Sequence, residues 1–173
     1  MAASARPSHS QADPPTLGEY EGFVIYPMPV FARIAATDVA RTVEFFTGVL
    51  DFEAMFRGPE IGGLPTLVHV RRRKYQDVLI VPARGPVTSG DGLVVTFGAA
   101  DADDIDALAE RVRGASPAAL DGPVDTPWNT RELTVADPDG HRITFTAQAR
   151  DFRPGLIDDL MRPPTDADRP PPR

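Results

Sequence analysis

The order of elements constrains this chain most: a strand, a helix and three strands, then the same order again. Hydrophobic spacing defines each element. Residues 30–36 alternate as a strand, and Asp38 then caps a helix whose Val39, Val43, Phe46 and Leu50 recur at helical spacing. Strand-like runs follow at 52–57, 66–71 and 77–81. The second round opens with a strand at 93–97. Asp101 or Asp103 caps its helix, which carries Ile105, Leu108 and Val112 on one face and ends at Gly114. A weak run near 118–120 precedes two strands, 132–136 and 142–147, that flank Asp137-Pro138-Asp139-Gly140. That tetrapeptide is a hairpin turn: the proline presets φ and the glycine supplies a left-handed position. The fold class is therefore α+β, built from two βαβββ modules at about 30–82 and 93–147, joined by the Gly- and Pro-bearing linker 85–92. The halves share element order rather than residues.

With 173 residues, the chain fits one domain, read here as 21–150. Residues 1–20, rich in Ser, Ala and Pro, and the Pro-rich residues 151–173 read as tails too poor in apolar surface to offset the entropy of ordering. Within the second tail, 156–161 reads as a helical turn that docks on the body or on a second subunit. The net charge of −7 argues against nucleic-acid or membrane-surface binding, which needs clustered positive charge. One basic cluster exists, Arg71-Arg72-Arg73-Lys74. It reads as a solvated hairpin tip, with contact to an anionic ligand or partner as the alternative. The absence of cysteine removes thiol nucleophiles, thiolate metal sites and disulfides together. No leader-like apolar stretch and no run approaching 18 apolar residues is present, so the expected location is the cytoplasm.

The segment Thr37-Asp38-Val39-Ala40-Arg41-Thr42-Val43-Glu44-Phe45-Phe46-Thr47-Gly48-Val49-Leu50-Asp51-Phe52 and the turn Asp137-Pro138-Asp139-Gly140 stand in this element order. Together they resemble the glyoxalase/bleomycin-resistance/extradiol-dioxygenase superfamily over about residues 26–149. Asp51 stands where the family segment usually has glycine. The loop from Pro127-Trp128 into Arg131-Glu132 is similar to the bleomycin-resistance branch. The resemblance implies curved mixed sheets around a cup-shaped cavity, a homodimer with ligands in grooves made by both subunits, and a divalent metal held by four strand residues. Carried over by motif and strand alignment, those metal positions fall on Phe31, Leu79, Leu93 and Thr144. Phenyl and alkyl groups offer a metal no lone pair, so neither metal nor cofactor is expected.

Strand alternation then fills in the cup. Phe31 brings Arg33 and Ala35 to its face, Leu79 brings Asp77 and Val81, Leu93 brings Val95 and Phe97, and Thr144 brings Arg142 and Thr146. The expected ligand-binding set is Phe31, Arg33, Leu79, Leu93, Phe97, Trp128 and Thr144: bulk apolar contact with sparse polar groups. Arg33 requires either a bound anion or an internal carboxylate, Asp77 or Glu132. Trp128 either stacks on a flat ligand or plugs one end of the sheet. Of the three histidines, His9 lies in a tail, His141 follows the turn, and His69 sits mid-strand facing either the cup or solvent. The functional expectation is a metal-free binding protein for an aromatic or antibiotic-like metabolite. The alternative is a metal-independent or displaced-ligand enzyme of the superfamily, such as a glyoxalase-like lyase, isomerase or cyclase, with Asp77, His69 and Glu132 as acid–base candidates. A third reading is an interaction domain docking through 156–161.

Overall fold

The computed structural model describes residues 18–20, 23–25, 28, 30–88, 92–115 and 120–155. His9, the 156–161 turn and most of both tails lie outside these residues. Two short strands, β1 (Gly18–Tyr20) and β2 (Phe23–Ile25), pair antiparallel. Gly18–Tyr20 falls in the stretch read from sequence as a tail. No helix among the described residues is long and apolar enough to cross a membrane.

The first module begins with β3 (Phe31–Ala36) and α1 (Val39–Gly48). Asp38 caps α1 as expected: its side chain accepts the Arg41 N–H at 3.0 Å, satisfying a donor that the first turn leaves free. Leu50 lies just past the helix yet is fully buried. Asp51 then takes φ 65°, a left-handed conformation that explains why glycine is usual at this point. The strands β4 (Glu53–Arg57), β7 (Val68–Arg71) and β8 (Asp77–Pro82) complete a sheet ordered β3-β8-β7-β4, with β3 and β8 parallel. Between β4 and β7, a hairpin of β5 (Glu60–Ile61) and β6 (Leu64–Pro65) turns on Gly62 and Gly63.

The second module repeats the plan with β9 (Val95–Gly98), α2 (Ala102–Ala115), β10 (Leu120–Asp125), β11 (Thr130–Ala136) and β12 (Arg142–Gln148). Its sheet order is β9-β12-β11-β10, with β9 and β12 parallel, so each module places its first strand beside its last. Asp101, rather than Asp103, caps α2 by accepting the Asp104 N–H at 2.9 Å. The weak run near 118–120 becomes a six-residue strand, β10. Its pairing slips between Asp121 and Val124, and this bulge around Gly122-Pro123 erases the alternation that would have revealed it.

One core joins the modules. Ile34, Val70, Val78 and Ile80 from the first sheet, Leu133, Ile143 and Phe145 from the second, and the apolar stripes of both helices belong to one buried cluster. A chain of ring contacts crosses it, Phe46–Phe52 at 5.0 Å, Phe52–Phe97 at 5.5 Å and Phe97–Phe145 at 6.0 Å. Such edge and tilted contacts stabilise beyond simple area burial. The basic cluster also works internally, which corrects its reading as a solvated tip. The Arg72 side chain is fully buried. It lies over the Phe145 ring and donates from Nη2 to both Asp104 carboxylate oxygens at 2.9 and 3.0 Å. Arg73 joins the same carboxylate, and Arg71 turns inward to Asp77. At the opposite end, Asp139 of the turn accepts from the Thr37 N–H at 3.0 Å and from the Thr37 hydroxyl.

Candidate functional site

Each sheet turns one face to the core and leaves the other open. On the first sheet, backbone register aligns Arg33, Leu79 and His69 in one row of the open face, with Phe31, Asp77 and Arg71 in the next. On the second sheet, Thr96 pairs with Thr144 and Thr144 with Thr134, whose hydroxyls bond at 2.8 Å. The edge strands β3 and β9 flank a groove of about 740 Å³, lined by Phe31, Arg33, Leu93, Val94, Thr96 and Arg142 among others. Phe31 is 47% exposed and Leu93 80% exposed there, so the groove presents apolar surface to solvent.

The groove thus gathers Phe31, Arg33 and Leu93 of the expected set. Leu79 and Thr144 point away from the core, one strand in from the groove's edge strands, though Thr144 is itself only 7% exposed. Phe97 is a correction. It pairs with Phe145 in register, is 7% exposed and belongs to the core. The parity assumed for β9 was out by one residue, because 93–97 is apolar at nearly every position and carries no alternation to read. Leu93 and Val94 precede the strand, and both line the groove. Trp128 is a second correction. It precedes Thr130, which pairs with Gln148, while the groove lies at the Arg142 end of β12. There Trp128 is 53% exposed, and its Nε1 donates to Glu132 Oε1 at 3.2 Å. It neither lines this groove nor plugs the core. The adjoining Arg131 clamps β11 to Asp106 of α2 and Asp125 of β10, and its hydrogen bond holds the Asp106 carboxyl below its ordinary range.

The polar groups resolve as follows. Asp77 is fully buried, bonded by His69 Nε2 and Arg71 Nε, each at 2.7 Å. Glu132 takes the Trp128 and Thr130 donors. Both carboxylates considered for Arg33 are therefore engaged elsewhere, and the Arg33 side chain makes no hydrogen bond or ion pair with any described residue. His141 is held by Asp137 at 2.9 Å, as part of the turn. The divalent metal implied by the resemblance does not fit these residues. Phe31, Leu79 and either Leu93 or Val94 offer no donor, and the Thr144 hydroxyl is already engaged. Among the described residues, no group of three or more His, Asp or Glu is placed to share a metal ion.

Two modules with this strand order, helices on the core side and a groove between first strands define an α+β protein of the paired βαβββ class. The model of the Glyoxalase/Bleomycin resistance protein/Dioxygenase superfamily matches residues 29–145, and the chain belongs to that superfamily. Among solved structures, it is similar to a glyoxylase/bleomycin resistance protein/dioxygenase domain from Frankia sp. EAN1pec, at 18% identity and TM-score 0.59, covering 74% of this chain and 96% of that one. TioX from Micromonospora sp. ML1 aligns at 24% identity and TM-score 0.55, over 68% and 96% of the two chains. TnmS3, an antibiotic binding protein from Streptomyces sp. CB03234, aligns at 23% identity and TM-score 0.53, over 69% and 93%. At these identities the likeness is one of fold. No match to a functionally curated protein was found.

Proposed function

We propose that this protein binds an aromatic or antibiotic-like metabolite in the β3–β9 groove, without a metal, and acts by sequestering it. The observation that carries the reading is Phe31. A half-exposed phenyl ring, at a position where the resemblance would place a metal ligand, lines a groove large enough for a drug-sized molecule. Exposed apolar surface of this kind is kept where something covers it. That TnmS3 is described as an antibiotic binding protein lends the reading support by analogy. The proposed binding unit is residues 21–150, in the cytoplasm, as a homodimer whose second copy closes the groove. Among the described residues, both β3 and β9 are sheet edges that pair with a strand on one side only, as such an arrangement requires.

A thermal-shift screen of EDTA-treated protein against bleomycin-type, mitomycin-type and polyketide ligands tests this. At least one ligand is expected to raise the melting temperature of the wild type and to lose that effect in Phe31→Ala. No response from any ligand, or hits indifferent to Phe31, counts against the reading. A metal-independent enzyme is the second reading, and the His69–Asp77 bond favours it. The buried carboxylate at 2.7 Å from Nε2 orients the imidazole, as a proton-transfer group requires. Turnover of a bound ligand that vanishes in His69→Gln, with binding retained, would decide for it.

A further inference from the structure

Beside the main groove, the first sheet carries a second cavity, of about 270 Å³. Its walls are mostly apolar: Ile61, Leu64 and Pro65 of the β5–β6 hairpin oppose Val81 and Pro82 of β8. Ile61 is 73% exposed and Leu64 51%, a poor arrangement for a hairpin that covers nothing. Two arginines, Arg33 and Arg84, complete the lining of this apolar ring. Both residues are exposed, and neither side chain bonds to any described residue. Carboxylates are not scarce in a chain with 25 Asp and Glu against 18 Lys and Arg. Arg71, Arg72, Arg131 and Arg150 all hold one. Arg33 also lines the main groove, so the two cavities adjoin at this residue.

We infer that this cavity is an anion-anchoring subsite, and that the ligand is an organic anion. Its apolar body lies along Phe31 and under the hairpin, and its carboxylate or comparable oxyanion is held by Arg33 and Arg84. Planar guanidiniums suit this task because they meet an oxyanion with two parallel donors. The acidic remainder of the chain repels such a ligand, so its recognition depends on these two groups. The inference rests on the binding reading above and adds the ligand's charge to it.

Fluorescence titration of the full chain with two probes of matched shape tests it: anionic anilinonaphthalenesulfonate and neutral N-phenylnaphthylamine. Arg33→Gln and Arg84→Gln are each expected to weaken the anionic probe about tenfold, the worth of one charge-assisted contact. The neutral probe is expected to bind all variants alike. Arg57→Gln, on the far edge strand β4, changes net charge equally and is expected to leave both probes unaffected. Added salt should weaken the anionic probe alone. If the anionic probe is indifferent to both substitutions, or the neutral probe weakens equally, the inference is overturned while the binding reading stands. If Arg57→Gln weakens the anionic probe as much, a general charge effect replaces the subsite. If neither probe binds the wild type, both fail.

Discussion

Phe31 and Phe97 began as two members of one expected cup, and the structure gives them opposite duties. Phe97 sits at the centre of the ring chain between Phe52 and Phe145, so Phe97→Ala should cost about 3–5 kcal/mol in urea unfolding. Phe31→Ala should cost less than about 1 kcal/mol and act on ligand binding instead. Equal costs for the two would return Phe97 to the groove. Alternation was legible where polar residues mark it: Arg142, Thr144 and Thr146 against Ile143 and Phe145 show which side faces the core. It was illegible in 93–97, where nearly every side chain is apolar. Asp51 is a residue-scale case of the reverse kind. The departure from glycine was visible in sequence, and φ 65° supplies its physical meaning. Asp51→Gly should stabilise the fold by about 1 kcal/mol by relieving the left-handed strain, read as a shifted urea midpoint with unchanged slope.

Between elements, the Arg71–Lys74 turn shows how charge patterning misleads. A run of basic residues between strands is usually solvated. Here Arg72 is drawn inside by Asp104 near the start of α2, a partner 32 residues away that periodicity cannot reveal. Burial raises the Asp104 pKa, but the Ala100 N–H and Arg72 hydrogen bonds, with the Arg72 and Arg73 charges, outweigh it and hold the carboxyl below its ordinary value. A depressed folded-state value contributes stability that is present above the unfolded value. That stability is lost as pH falls through the folded value. Acid should therefore weaken the wild type progressively below about pH 4. Asp104→Asn should be less stable by about 2 kcal/mol at neutral pH and lose less between neutrality and acid. Parallel acid titrations of the two by circular dichroism would show it, and identical acid profiles would remove Asp104 from the account. The modules themselves were readable because helical and strand periods differ. The β5–β6 hairpin and β10 were not, since two-residue strands and a bulged strand leave no period to detect.

At the scale of the whole molecule, repetition of one βαβββ unit sets two edge strands beside a groove and leaves apolar side chains open there. If a second copy closes that groove, light scattering should give twice the mass of one chain, and Leu93→Asp should shift it toward the monomer. Superfamily membership follows from element order and two motifs, whereas what the groove holds depends on side chains at single positions. Strand alternation in the sequence was enough to put Phe31, Leu79 and Thr144 on the sheet faces turned away from the core. Arg33 could be named from sequence as needing an anion or a carboxylate, but only the side-chain bonds of Asp77 and Glu132 show that both carboxylates are engaged elsewhere, and Arg84 carried no sequence signal. The most direct test of metal-free binding is calorimetric titration of the metal-stripped full chain with a ligand from the thermal-shift screen, repeated in added Zn²⁺, Ni²⁺ or Mn²⁺. The same stoichiometry and dissociation constant are expected throughout; binding that appears only after metal is added would rule out metal-free sequestration.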